Sequence, residues 1–120
     1  MKRVVLADDN ADIRSRLALS LAGDDYEVVG EADNGKLVID LVGRTAPDIV
    51  VVDLEMPDVG GLDALLALKA AAPDAAVVVY SAHLDPIVRT AVERLGAWPV
   101  DKAHGVEALN QTMGRVAGGI

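Results

Sequence analysis

Pro47-Asp48-Ile49-Val50-Val51-Val52-Asp53-Leu54-Glu55-Met56-Pro57 is the stretch that decides the fold. Four consecutive β-branched residues between two aspartates read as a short strand with apolar side chains on both faces. A strand buried on both faces belongs to the middle of a parallel sheet, which needs a helical layer above and below it. The carboxylate of Asp53 then stands at the strand's carboxyl end, and Pro57, Gly60 and Gly61 open a loop behind it.

The same sequence of events recurs on either side. Val4 to Ala7 is β-rich and stops at Asp8-Asp9, after which Ile13, Leu17 and Leu21 recur at helical spacing, with Asn10 as N-cap and Gly23 as stop. Tyr26 to Ala32 reads as a strand, Asp33-Asn34-Gly35 as a turn, and a short helix presents Val38, Leu41 and Val42 before ending near Gly43. After Asp53, a helix from Leu62 to about Ala72 stops at Pro73-Asp74, and Ala75 to Tyr80 is the next strand. Asp85-Pro86 caps a helix running to about Leu95 with Gly96 behind it. Trp98 to Asp101 is a weaker strand, a last helix covers about Val106 to Val116, and the final residues to Ile120 are expected to fray. Five strand-then-helix rounds with short connections predict a doubly wound α/β domain, a five-stranded parallel sheet with helices on both faces, over residues 1–120.

Composition bounds the function. The chain of 120 residues carries a formal net charge of −8, which disfavours nucleic-acid binding by this domain alone. With no cysteine there is no disulfide framework and no thiolate metal site. The core is aliphatic, because the 52% hydrophobic content includes no Phe, one Trp and two Tyr. Met1-Lys2-Arg3 precedes an apolar run too short for a signal peptide, and no segment approaches the roughly 20 apolar residues that span a bilayer. A soluble, cytoplasmic protein without a membrane partner is the expectation.

The chemistry lies where polar residues interrupt strand ends. Asp8 and Asp9 follow the first strand, Asp53 the third, Ser81 the fourth and Lys102 the fifth. Carboxyl ends of parallel strands share one sheet edge, the edge at which open α/β sheets bind ligands. Carboxylates gathered there must either hold a proton or be neutralised by a cation. Oxygen-only donors suit a hard ion such as Mg²⁺. A carboxylate beside that ion can attack phosphorus and form an acyl phosphate, with Lys102 and Ser81 serving phosphoryl oxygens. Taken singly, the same residues have plainer readings: Asp8-Asp9 as a helix cap, Ser81 as a turn cap, Lys102 and His104 as surface residues, His83 as a solvated loop residue, Trp98 as packing.

Together they carry a resemblance. Val5-Leu6-Ala7-Asp8-Asp9-Asn10, Asp53-Leu54-Glu55-Met56-Pro57 with Gly60-Gly61-Leu62, Val79-Tyr80-Ser81-Ala82, and Gly96-Ala97 before Lys102 stand in the order found in bacterial response-regulator receiver domains. The chain resembles that family over essentially its whole length, and the region from Lys102 to His104 is similar to receivers that precede helix-turn-helix output domains. The resemblance implies the flavodoxin-like strand order 2-1-3-4-5 and Asp53 as phosphoacceptor. It implies Asp8 and Asp9 as the acidic pair, Ser81 as the hydroxyl that follows the phosphoryl group, and Lys102 as the fixed cation. Mg²⁺ would be held by Asp9, Asp53 and the backbone carbonyl of Glu55, with Asp8 acting through water. It further implies a histidine kinase or phosphotransfer protein as donor, and a downstream protein or a second copy as the partner of the phosphorylated form.

Two positions depart from the family pattern. Receivers place Tyr or Phe three residues before the lysine; here that residue is Pro99, with Trp98 beside it, and the segment from Gly96 to Lys102 is one residue shorter. Proline cannot donate to a ladder, which puts this strand at an edge. Secondly, Ala103 stands where the family has a proline behind a cis bond. Two alternatives stay open: a pseudo-receiver that works by contact alone, and a small Mg²⁺-dependent phosphohydrolase with an Asp nucleophile.

Overall fold

The computed structural model describes residues 1–23, 25–82 and 84–119. Five strands alternate with five α-helices: β1 Lys2–Ala7, α1 Ala11–Leu21, β2 Tyr26–Ala32, α2 Gly35–Thr45, β3 Ile49–Val52, α3 Gly61–Ala71, β4 Ala76–Ser81, α4 Pro86–Arg94, β5 Trp98–Asp101 and α5 Gly105–Gly118. A single turn of 3₁₀ helix, Lys102–His104, joins β5 to α5.

The strands form one sheet in the order β2-β1-β3-β4-β5, every neighbouring pair parallel. This is the doubly wound, flavodoxin-like arrangement. Its physical origin is legible in β3, whose four residues are all buried. Val50 and Val52 face a core completed by α2, α3 and α4 through Val38, Val42, Leu65, Leu68 and Val92. Ile49 and Val51 face the opposite core, completed by α1 and α5 through Leu17, Leu21, Leu109, Met113 and Val116. Alternation along the strand thus feeds two aliphatic layers from one apolar run.

The chain reverses direction across the sheet between β1 and β3. From β1 it turns outward to β2, then crosses back to place β3 on the other flank of β1. The loops after β1 and β3 therefore diverge and leave a crevice at their carboxyl ends. Asn10 holds the start of α1, its side chain accepting from the amides of Asp12 and Ile13. Asp85 does the same for α4, with Pro86 in the first turn.

Several boundaries differ from the sequence expectation, β4 for one running Ala76–Ser81 rather than Ala75 to Tyr80, and three have a local reason. Helix α2 passes through Gly43 to Thr45, because the left-handed residue that ends it is Ala46 (φ 46°), just before Pro47. Helix α5 continues past Val116 to Gly118, held by Val116 in the core rather than fraying there. Gly35 is the first residue of α2 rather than the last of a turn, and Asn34 is the cap. β5 lies at the sheet edge, as Pro99 requires. The Lys102–Ala103 peptide bond is trans. Among the described residues, no helix is long and apolar enough to cross a membrane.

Candidate functional site

The carboxyl edge of the sheet gathers the four expected segments, the ends of β1, β3, β4 and β5. The β1–β3 register pairs Ala7 with Val52, so the next residues, Asp8 and Asp53, leave the sheet side by side. The Asp53 amide continues the ladder, donating to the Ala7 carbonyl (3.0 Å), and the Asp8 amide donates to the Ala32 carbonyl (3.1 Å). Asp8 and Asp53 are buried, while Asp9 is exposed at the rim. One carboxylate oxygen from each of these three residues lies within 4.8 Å of the others.

Lys102 closes the site from the β5 side. Its Nζ lies 2.7 Å from Asp53 Oδ2, which accepts a hydrogen bond from it, and 2.7 Å from Asp8 Oδ2. Asp8 Oδ2 is thus held by an ion pair and, among the described residues, accepts no conventional hydrogen bond. The other oxygens are held by backbone amides: Glu55 N–H donates to Asp53 Oδ1 and Asn10 N–H to Asp8 Oδ1, each at 2.9 Å. Burial pushes the Lys102 ammonium down, but its contacts with Asp53 and then Asp8 outweigh that, and the net direction is up. The lysine is therefore a permanent cation at neutral pH.

The shortened Gly96–Lys102 segment does not keep Lys102 from the crevice. Gly96 turns at φ 79°, and β5 runs directly from Trp98 to Asp101. Asp101 then caps the 3₁₀ turn by accepting from the Ala103 amide (2.8 Å), which aims Lys102 inward. Ser81 ends β4, is buried, and pairs in register with Asp101. It occupies the same sheet edge, one strand removed from Asp53. Glu55 is exposed and its carboxylate is not a member of the close trio. Trp98 is partly exposed on the edge strand, and His104 is exposed in the 3₁₀ turn. The expectation for His83 falls on a residue outside those described.

Three features were missed by sequence reasoning. Arg14 Nη1 donates to the Asp8 carbonyl at 2.7 Å, and its Nε lies 3.7 Å from Glu31 on β2. A signal was present: a cation in the first turns of a helix opposes the helix dipole and calls for another partner. Tyr80, buried on the α1–α5 side, places its ring 5.9 Å from Lys102 Nζ. Burial raises its phenol pKa; Lys102 works against the rise and Asp8 adds to it. Finally, the loop after β3 is clamped to α2. The Gly35 amide donates to the Pro57 carbonyl (3.0 Å), and a Cβ on Gly35 would stand 1.8 Å from the Val59 carbonyl oxygen. Asp58 in that loop adopts φ 75°, a left-handed conformation that aspartate tolerates better than most residues.

The donor set fits a hard divalent cation. All the side-chain ligands on offer are carboxylate oxygens, they are gathered within one ion's reach, and one buried oxygen lacks a hydrogen-bond donor.

Known proteins are similar to this chain in sequence and fold. The family model for the response regulator receiver domain matches residues 4–112. The chemotaxis protein CheY of Thermotoga maritima is 34% identical over 115 residues, covering 92% of this chain and 96% of that protein. The response regulator GacA of Pseudomonas aeruginosa is 32% identical; the match covers 99% of this chain but 56% of GacA, so the chain corresponds to about half of that longer relative. Among solved structures, a LuxR-family response regulator from Aurantimonas superposes with a TM-score of 0.89 at 27% identity, covering 99% of this chain and 86% of that one. The receiver domain of NarL from Mycobacterium tuberculosis superposes at 0.80 with 29% identity, covering 98% and 97%. With the crevice of aspartates and lysine at the sheet edge, these matches establish that the chain belongs to the response regulator receiver domains of two-component systems.

Proposed function

We propose that the chain accepts a phosphoryl group on Asp53 from a phosphohistidine of a histidine kinase or phosphotransfer protein, and that residues 1–120 form one receiver domain acting in the cytoplasm. Receiver domains are regulatory, work with histidine kinases and effector domains, and bind Mg²⁺ at an acidic pocket. The observation that carries the reading is the placing of Lys102 Nζ 2.7 Å from both Asp8 and Asp53, beside the carboxylate trio.

In this reading Asp9, Asp53 and the Glu55 carbonyl hold Mg²⁺, and Asp8 serves it through water. When bound, Mg²⁺ neutralises the carboxylates and offsets the charge of the incoming phosphoryl oxygens. A carboxylate oxygen of Asp53 forms the new O–P bond as the P–N bond of the donor breaks, and the departing imidazole nitrogen keeps the electron pair. Lys102 turns its ammonium from Asp53 to a phosphoryl oxygen, and the Ser81 hydroxyl donates to another. The protein's contribution is positioning and charge, not a new covalent chemistry. The modified residue gains charge and acceptor oxygens, which rearranges the loops after β3 and β4 and alters the face of α4, β5 and α5 for a downstream protein or a second copy.

Glu55 stands two residues past Asp53, the spacing a phosphohydrolase would use, but its exposed carboxylate outside the trio lends that alternative no support. Incubation with acetyl phosphate and Mg²⁺ followed by intact-mass measurement tests the proposal. One added phosphate is expected on the wild type and none on Asp53→Ala; labelling that survives the substitution refutes the assignment.

A further inference from the structure

We infer that Arg14 is a positioning residue for the cation site, fixing the peptide from which Asp9 projects. The inference rests on the Mg²⁺ reading of the site and adds a residue to it. Three polar groups of Asp8 are hydrogen-bonded, its amide to Ala32, Oδ1 to the Asn10 amide and its carbonyl to Arg14 Nη1 at 2.7 Å, while Oδ2 is ion-paired with Lys102. The carbonyl matters most, because it belongs to the Asp8–Asp9 peptide. A peptide is planar, so fixing its oxygen fixes the direction in which the Asp9 Cα leaves it.

Nothing else described holds that oxygen. The β1 ladder stops at Ala7, whose carbonyl takes the Asp53 amide, and one residue further Asp8 has left the sheet. Asp9 itself is exposed and receives no burial constraint from its surroundings. Arg14 is suited to the task. Its side chain is only 21% exposed, and Glu31 at 3.7 Å draws on Nε from the β2 side. The guanidinium thus bridges the loop after β1 to the neighbouring strand, and its planar fork holds both contacts in one orientation.

Charge and positioning predict opposite outcomes, which makes the inference testable. Arg14 is a cation close to a cation site. If it acted only through its field, Arg14→Met would tighten Mg²⁺ binding. If it holds the Asp9 peptide, the same change weakens Mg²⁺ binding by about tenfold, the scale at which supports of metal ligands act. Arg14→Lys keeps the charge and one donor but loses the fork, and is expected to lie between wild type and Arg14→Met.

The experiment is Mg²⁺ titration of the three proteins by calorimetry, with thermal unfolding in chelator as a separate measure of stability. Affinity in the order wild type, Arg14→Lys, Arg14→Met supports the inference. Equal or tighter binding by Arg14→Met overturns it. Should Arg14→Met fail to fold, Arg14→Lys decides alone: a two- to fivefold loss supports, unchanged affinity overturns. A wild type that binds no Mg²⁺, and matches Asp9→Asn in the titration, overturns the cation reading itself and this inference with it.

Discussion

Lys102 is the residue on which the site's electrostatics turn. It compensates two buried carboxylates at once, and removing one member of a buried charge cluster leaves the others unpaired. Lys102→Met should therefore lower stability by about 3 kcal/mol without divalent cation, the low end of the usual range because some water reaches the ammonium. Urea unfolding measures this, and added Mg²⁺ should restore more stability to the variant than it adds to the wild type. The pH dependence has a definite sign. A lysine whose pKa is raised on folding contributes stability that is fully present below its ordinary 10.5 and is lost as pH rises through the raised value. Tyr80 and Tyr26, raised above 10.0 first by burial, act in the same direction, since the folded state disfavours their ionisation. Stability should thus be flat with respect to these groups at neutral pH and fall in the alkaline range. Lys102→Met and Tyr80→Phe should each make that fall shallower, as read from urea midpoints at successive pH values.

At the scale of elements, the clamp between α2 and the loop after β3 links a helix start to the segment that follows Asp53. A methyl group at Gly35 meets backbone rather than a movable side chain, at 1.8 Å from the Val59 carbonyl oxygen. Gly35→Ala should cost roughly 1–3 kcal/mol, the usual range for an overpacked contact, and should slow acetyl-phosphate labelling by displacing the loop that follows Asp53. A normal unfolding midpoint with normal labelling would contradict the clamp. The sequence did mark this region, since Asn34 and Gly35 announce a turn, but it could not reveal that the glycine faces another loop 24 residues away (Gly35 to Val59). Elements defined by local chemistry were legible: β3 from its valines, α1 and α4 from their caps, β5 as an edge from Pro99. The ends of α2 and α5 were not: α2 passes Gly43 to Thr45, whose carbonyl accepts from Arg3, and α5 takes in Gly118. The convergence of Asp8, Asp53 and Lys102 was legible because strand ends of a parallel sheet share an edge. Arg14 was half legible: a cation early in a helix calls for a partner, but that partner is a backbone carbonyl, which has no signature in a sequence.

For the molecule as a whole, the proposed cation site would link metal binding to folding. Mg²⁺ held by the native crevice and not by the unfolded chain should raise stability by about 2.7 kcal/mol at one hundred times its Kd. For a domain of this size that corresponds to a rise in Tm of roughly 10 °C. Thermal scans across a Mg²⁺ series should show the rise in the wild type and lose it in Asp9→Asn. A parallel sheet with two open flanks also faces a hazard unconnected with signalling. Its outermost strands could recruit further strands from neighbouring copies and grow into fibrils. Here one flank, β5, is four residues long and carries a proline, and the other, β2, carries Glu27 and Glu31. A concentrated solution held for days under native conditions should therefore remain clear and bind no thioflavin, which is what a molecule must manage if it is to persist in a crowded compartment while waiting for its signal.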